Sequence, residues 1–226
     1  MQVTAGTPLR EQKSPRFIVV EGPIGVGKTS LAKRLAESLD AELVLEHPGR
    51  NPFLERFYKS GRRAALPTQL FFLFQRARQL EELRQADMFA QVRIADFHLA
   101  KDRLFAELNL DAEELALYEQ VRDKLEIDVP EPDLVIYLQA SVDALLARIA
   151  RRNISYEHLI DRAYLERLAE SYARFFHNYD DSPLLIVNAS SFDPVHSEPD
   201  YLALFEQVQG TTGGRHFFNP AAVALA

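Results

Sequence analysis

GPIGVGKTS, residues 22–30, sets Gly22, Gly27, Lys28 and Thr29 in the G-x-x-x-x-G-K-[ST] spacing. The run follows the apolar FIVVE (17–21) and opens the amphipathic KTSLAKRLAESL (28–39), so the order is strand, loop, helix. That context is what phosphate binding needs. Glycines allow a tight turn, and successive N–H groups together with the helix N-terminus then face phosphate oxygens. Gly22, Gly25 and Gly27 read as the cradle, and Lys28 as a point charge toward the β and γ phosphates. Thr29 offers a hydroxyl to Mg²⁺, and Ser30 is grouped with the nucleotide-binding positions.

Outward from this motif, short apolar runs alternate with longer amphipathic ones. Strands are expected at 17–21, 41–46, 91–96, 134–138 and 184–187, and helices at 29–39, 68–87, 111–125, 142–152 and 164–178. The pattern predicts an α/β fold of the P-loop NTPase type, a parallel five-stranded sheet with helices on both faces. At 226 residues and 47% hydrophobic content the chain suits one domain, 1–226, with loosely ordered ends at 1–15 and 210–226. The helix beginning TQLFFLFQRAR is apolar on nearly all sides at first, which asks for cover all round, from the core or from a second subunit. No apolar run is long enough to span a membrane, the first fifteen residues are polar, and cysteine is absent; a cytoplasmic protein without membrane contact is expected. The net charge of −7 argues against a nucleic-acid partner, which calls for clustered Lys and Arg.

A phosphate loop alone does not separate a kinase from a switch or a motor. The chain has no Asn-Lys-x-Asp guanine-reading sequence and lacks a motor's length, so a small-molecule kinase leads, with a regulatory nucleotide-binding module still open. Such an enzyme needs an oriented acceptor hydroxyl, a base and positive charge around the moving phosphoryl group. Glu46 ends the second strand-like run, on the sheet edge where the phosphate loop also lies. It fits the base, although a carboxylate so placed also serves as a helix cap or a solvated group.

Taken together, LEHPGRNPFLERFY (45–58), TQLFFLFQRAR (68–78) and ADFHLAKDRLFA (95–106) resemble the deoxyribonucleoside kinase family over about residues 16–208. The resemblance implies ATP as phosphate donor, Mg²⁺, a deoxyribonucleoside acceptor and a homodimer. It makes Glu46 the catalytic carboxylate, Tyr58 the holder of the sugar 3′-hydroxyl and Gln69 the partner of the base edge. Arg76, seven residues after Gln69 on the same helix face, and Asp102 resemble the base-pocket pair, which favours purine deoxynucleosides or deoxycytidine. Without the resemblance, Tyr58 and Gln69 read as ordinary amphipathic positions, and Arg76 with Asp102 as a structural ion pair.

Two departures stand out. The third strand of the family ends in an acid, Arg, Ser, whereas here it is Asp96-Phe97-His98. Asp96 keeps the Mg²⁺-facing role, the arginine is missing, and Lys101 in the same loop is the candidate replacement. RIARRNISYE (148–157) resembles the lid R-x-x-R-G-R-x-x-E, with Asn153 and Ile154 in place of Gly and Arg. In a lid at about 150–160, Arg148 and Arg152 are left to close over ATP and Glu157 lies near the sugar. A nucleoside monophosphate kinase, or a nucleotide-binding subunit paired with an active paralogue, are the alternatives these departures keep open.

Overall fold

The computed structural model describes residues 16–85, 92–127 and 130–220. FIVVE forms β1 (Phe17–Glu21), buried after its first residue, as a strand covered on both faces requires. β1 pairs in parallel with β3 (Arg93–Ala95) on one side and β4 (Leu134–Gln139) on the other. β2 (Glu42–Val44) flanks β3, and β5 (Leu184–Asn188) flanks β4. A further strand, β6 (Arg215–Phe218), pairs in parallel with β5, giving the order β2-β3-β1-β4-β5-β6.

The expected five strands are thus corrected to six. The sixth arises in the tail expected to be loose, because RHFF follows Gly213-Gly214 and three of its four residues are exposed. It lacks the apolar run that marks inner strands. Residues 1–15, and the parts of the expected elements at Gln91 and 86–87, lie outside the described residues.

The helices are α1 (Lys28–Leu39), α2 (Leu54–Ser60), α3 (Ala65–Gln85), α4 (Ala100–Asn109), α5 (Ala112–Lys124), α6 (Val142–Arg152), α7 (Arg162–His177) and α8 (Glu198–Gly210). Ile18, Val20, Leu31, Leu35, Ile94, Leu134, Ile136 and Leu185 are completely buried in the main core, between the sheet and its helices. On α3, Phe72 and Leu73 are buried in the chain's own core, whereas Phe74 is 51% exposed and is not covered from within the chain. Among the described residues no helix is long and apolar enough to cross a membrane.

Because the strands are parallel, the ends of β1, β2 and β3 open on one edge of the sheet. Glu21, Glu46 and Asp96 lie there, at or just beyond those ends. α3 grips this edge from the side, its Gln79 Nε2 donating to Leu45 O at 2.7 Å. Asn51 ties the start of α2 to α3, its Nδ2 donating to Thr68 O at 3.1 Å and its Oδ1 accepting from Phe53 N at 3.0 Å.

Candidate active site

The phosphate loop runs from β1 into α1. Gly22 has φ 152°, and a Cβ there would sit 2.3 Å from Leu138 O; Gly25 has φ 84°, and a Cβ would meet the Ile149 side chain at 2.8 Å. Both positions thus exclude larger residues on space as well as on backbone conformation. Gly27 precedes α1, whose first N–H groups have no helical partner and open toward the loop. Lys28 Nζ donates to Gly22 O at 2.8 Å and Pro23 O at 3.2 Å. Burial, then the charge of Lys101, lowers its ammonium to about 8. A cavity over this loop is lined by Lys28, Thr29, Ser30, Arg148, Arg151 and Phe192, among others.

A second cavity adjoins it on the α2 and α3 side. Its lining includes Glu46, Tyr58, Gln69, Arg76, Asp96 and Lys101. Arg76 is its electrostatic hinge: Nε donates to Glu46 Oε1 at 2.9 Å, and the guanidinium also pairs with Asp102. Lys101 Nζ donates to the other oxygen of Glu46 at 2.8 Å. Burial alone would raise the Glu46 carboxyl, but the charges and hydrogen bonds of Arg76 and Lys101 hold it well below the usual carboxylate range. Asp96 accepts from Glu46 N at 2.7 Å through Oδ1 and from the Thr29 hydroxyl through Oδ2, while burial pushes its carboxyl up. Gln69 Oε1 is buried and, among the described residues, has no protein partner.

The lid follows α6. Asn153, at the position of the lid glycine, caps α6 in the left-handed conformation with φ 52°. Asn adopts that conformation more readily than other non-glycine residues, which accounts for its presence. A short 3₁₀ turn, Ser155–Leu159, then carries Glu157 into the second cavity. Arg152 Nε donates to Glu157 Oε2 at 3.0 Å. Arg148 reaches across the first cavity's floor, Nη2 to Ala189 O at 2.6 Å and Nη1 to Val26 O at 3.3 Å. Gly25, Lys28, Thr29 and Arg152 line both cavities, so the wall between the two is made of the residues that the sequence motif and the family resemblance single out for phosphate.

The structure therefore gathers the residues singled out in the sequence into two adjoining cavities, except that Gly22 and Asp102 stand behind the lining. Phe97 is 2% exposed and belongs to the core, which leaves Lys101 as the cation of that loop facing Glu46. Arg151, at the end of α6, also lines the first cavity. Glu21 was missed. Its buried carboxylate accepts from Gly22 N and His98 N, each at 2.7 Å, and from the Tyr172 hydroxyl at 3.0 Å, with Lys101 Nζ 4.0 Å away. The signal available was a charged residue closing an otherwise apolar strand, directly ahead of the phosphate loop.

Comparison with known proteins follows the same lines. Residues 18–211 match the sequence model of the family described as deoxynucleoside kinase. The chain is 34% identical over 192 residues to a deoxyguanosine kinase of Bacillus subtilis (strain 168), covering 82% of this chain and 92% of that one. It is 30% identical over 192 residues to a deoxyadenosine kinase of Lactobacillus acidophilus, covering 79% and 87% respectively. Among solved structures, a deoxyadenosine kinase from M. mycoides with bound dATP has a TM-score of 0.74 at 25% identity, over 85% of this chain and 98% of that chain. The same enzyme with the products dCMP and dCDP has a TM-score of 0.75 at 25% identity, over 86% and 99%. On sequence and on fold alike, the chain belongs to the deoxynucleoside kinase family.

Proposed function

We propose that this chain transfers the γ-phosphoryl group of ATP to the 5′-hydroxyl of a purine deoxyribonucleoside. The observation that carries the choice of acceptor is charge pairing in the second cavity. Arg76 is paired with Glu46 and Asp102, Lys101 with Glu46, and Arg152 with Glu157. An uncharged nucleoside fits such a cavity. An acceptor that already carried a phosphate would need further positive charge, which disfavours a monophosphate kinase. The two relatives named for purine deoxynucleosides support the base, and the unpartnered Gln69 Oε1 offers an acceptor to it.

In this reading the 5′-hydroxyl lies against Glu46. Arg76 and Lys101 favour the ionised form of this carboxylate, and its contribution is to accept the hydroxyl's hydrogen bond and fix the oxygen in line with the γ-phosphorus. That suffices in phosphoryl transfer, where the transition state is loose and the proton leaves late. The 5′-oxygen bonds to the γ-phosphorus, the bridge to the β-phosphate breaks, ADP departs, and the proton passes through Glu46 to solvent. Lys28 and Arg152, on the shared wall, stabilise the charge on the transferring group.

Thr29 and Asp96 present a hydroxyl and a carboxylate side by side, oxygen donors suited to Mg²⁺ when phosphates and water complete its shell. When bound, the ion neutralises phosphate charge at the leaving group. Tyr58 and Glu157 flank the sugar position, and Asp102 orients Arg76 from behind.

The test is ATP-dependent phosphorylation of the four deoxynucleosides and their four monophosphates, with products separated by chromatography. Deoxyadenosine or deoxyguanosine is expected to give its monophosphate; turnover of monophosphates alone would overturn the reading. Lys101→Met is expected to lower kcat on the order of 10²-fold, as for other preorganised charges. Unchanged kcat would show that Lys101 does not stand in for the family arginine.

We read the chain as a homodimer, supported by the family resemblance and by Phe74, a large apolar side chain on α3 that one chain leaves 51% exposed. Sedimentation equilibrium is expected to give the mass of two chains. A single-chain mass at micromolar concentration would count against it.

A further inference from the structure

The family match ends at residue 211, yet the chain goes on to add β6 at Arg215–Phe218 along the free edge of β5. This strand is not merely appended to the sheet. Alternation puts Phe217 and Phe218 on opposite sides. Phe217 is 72% exposed, whereas Phe218 packs edge-on against Phe192, with ring centroids 5.4 Å apart and planes at 85°. Phe192 is 3% exposed to solvent and lines the cavity over the phosphate loop.

The contact is reinforced where β5 ends. Asn188 Nδ2 donates to Asn219 Oδ1 at 3.3 Å, and Asn188 Oδ1 accepts from Ser190 N at 3.1 Å. The next residues, Ala189 and Phe192 to His196, form the wall of the cavity furthest along the chain from the phosphate loop. That wall is held on one side by Arg148, through Ala189 O. Arg34 holds its far end, its Nη1 taking Pro194 O at 3.0 Å and Val195 O at 3.1 Å. Phe218 supports the middle, at Phe192.

We infer that β6 is a positioning element for the base of the phosphate donor, acting through Phe192 on the 189–196 wall. The triphosphate is held by the loop and α1, on the other side of the cavity, so β6 contributes to the base and not to the phosphates. This rests on the donor reading of that cavity.

The test measures binding of ATP and of inorganic tripolyphosphate, which lacks a base, to the full chain by calorimetry. Phe218→Ala is expected to weaken ATP about 3- to 10-fold, the worth of one edge-to-face aromatic contact, and to leave tripolyphosphate unchanged. Phe217→Ala, on the exposed side of the same strand, is expected to change neither. Equal weakening of both ligands by Phe218→Ala, no weakening of either, or an equal effect from Phe217→Ala would overturn the inference. If the unaltered chain bound neither ligand, the donor reading itself would fall, and this inference with it.

Discussion

Replacing Glu46 by Gln is expected to lower kcat by about 10²- to 10⁴-fold, the range for loss of a positioned proton acceptor, while the protein stays folded. The carboxamide is nearly the same size, and its oxygen can still accept one hydrogen bond from Arg76 or Lys101. What disappears is the charge and the second acceptor oxygen. The reacting hydroxyl then meets a group that offers it an N–H as readily as a carbonyl, so its oxygen lone pair is no longer directed at phosphorus. The KM for nucleoside is expected to move much less than kcat, since in the proposed function the base is assigned to Gln69 and the sugar to Tyr58 and Glu157. Steady-state kinetics with a purine deoxynucleoside decide the matter, and a kcat within threefold of the parent would remove Glu46 from the mechanism.

The second large effect is on stability. Arg76 is 3% exposed in its side chain and stands between Glu46 and Asp102. Removing one partner of a buried ionic cluster leaves an uncompensated charge, and the usual cost is about 3–5 kcal/mol. Arg76→Met keeps the aliphatic stem and deletes the charge. It should lower the midpoint of thermal unfolding by about 6 to 20 °C for a chain of this size. Arg76→Lys should recover only part, since an ammonium does not reproduce the planar fork that reaches both carboxylates. Unfolding of the Met variant within 2 °C of the parent would mean that the cluster is solvated or protonated.

Much of the inner fold was legible because β1, β4 and β5 are nearly continuous apolar runs. β1 was read at its observed limits, Phe17 to Glu21, and the loop after it was readable because only certain residues tolerate its turns. The pairing of Glu46 with Arg76 and Lys101 was not legible, since it depends on how far β2 and α4 bring their ends together across the sheet. Glu21 was missed for a related reason: at a strand end, a carboxylate bound for solvent and one bound for three hydrogen bonds look alike. Phe97 read as the loss of a cation, and only its burial shows that the backbone there serves the core while Lys101, four residues on, turns to the carboxylates. β6 escaped notice because its strand is made by its neighbour: RHFF has little pattern of its own, and β5 supplies the edge on which it pairs.

The strand order also bears on how the protein is made. β1 emerges early, but its partners are β3 and β4, and Ile18 pairs with Leu134. A nascent chain lengthens by about 5–20 residues each second, so this strand waits several seconds for the segment that pairs with its second edge. Non-local parallel pairing of this kind slows folding in its own right. The phosphate loop shares the delay, because Gly22 takes its shape against Leu138 on β4. Nucleotide can therefore stabilise this fold only after β4 has left the ribosome, and until then protection of β1 falls to whatever holds nascent chains.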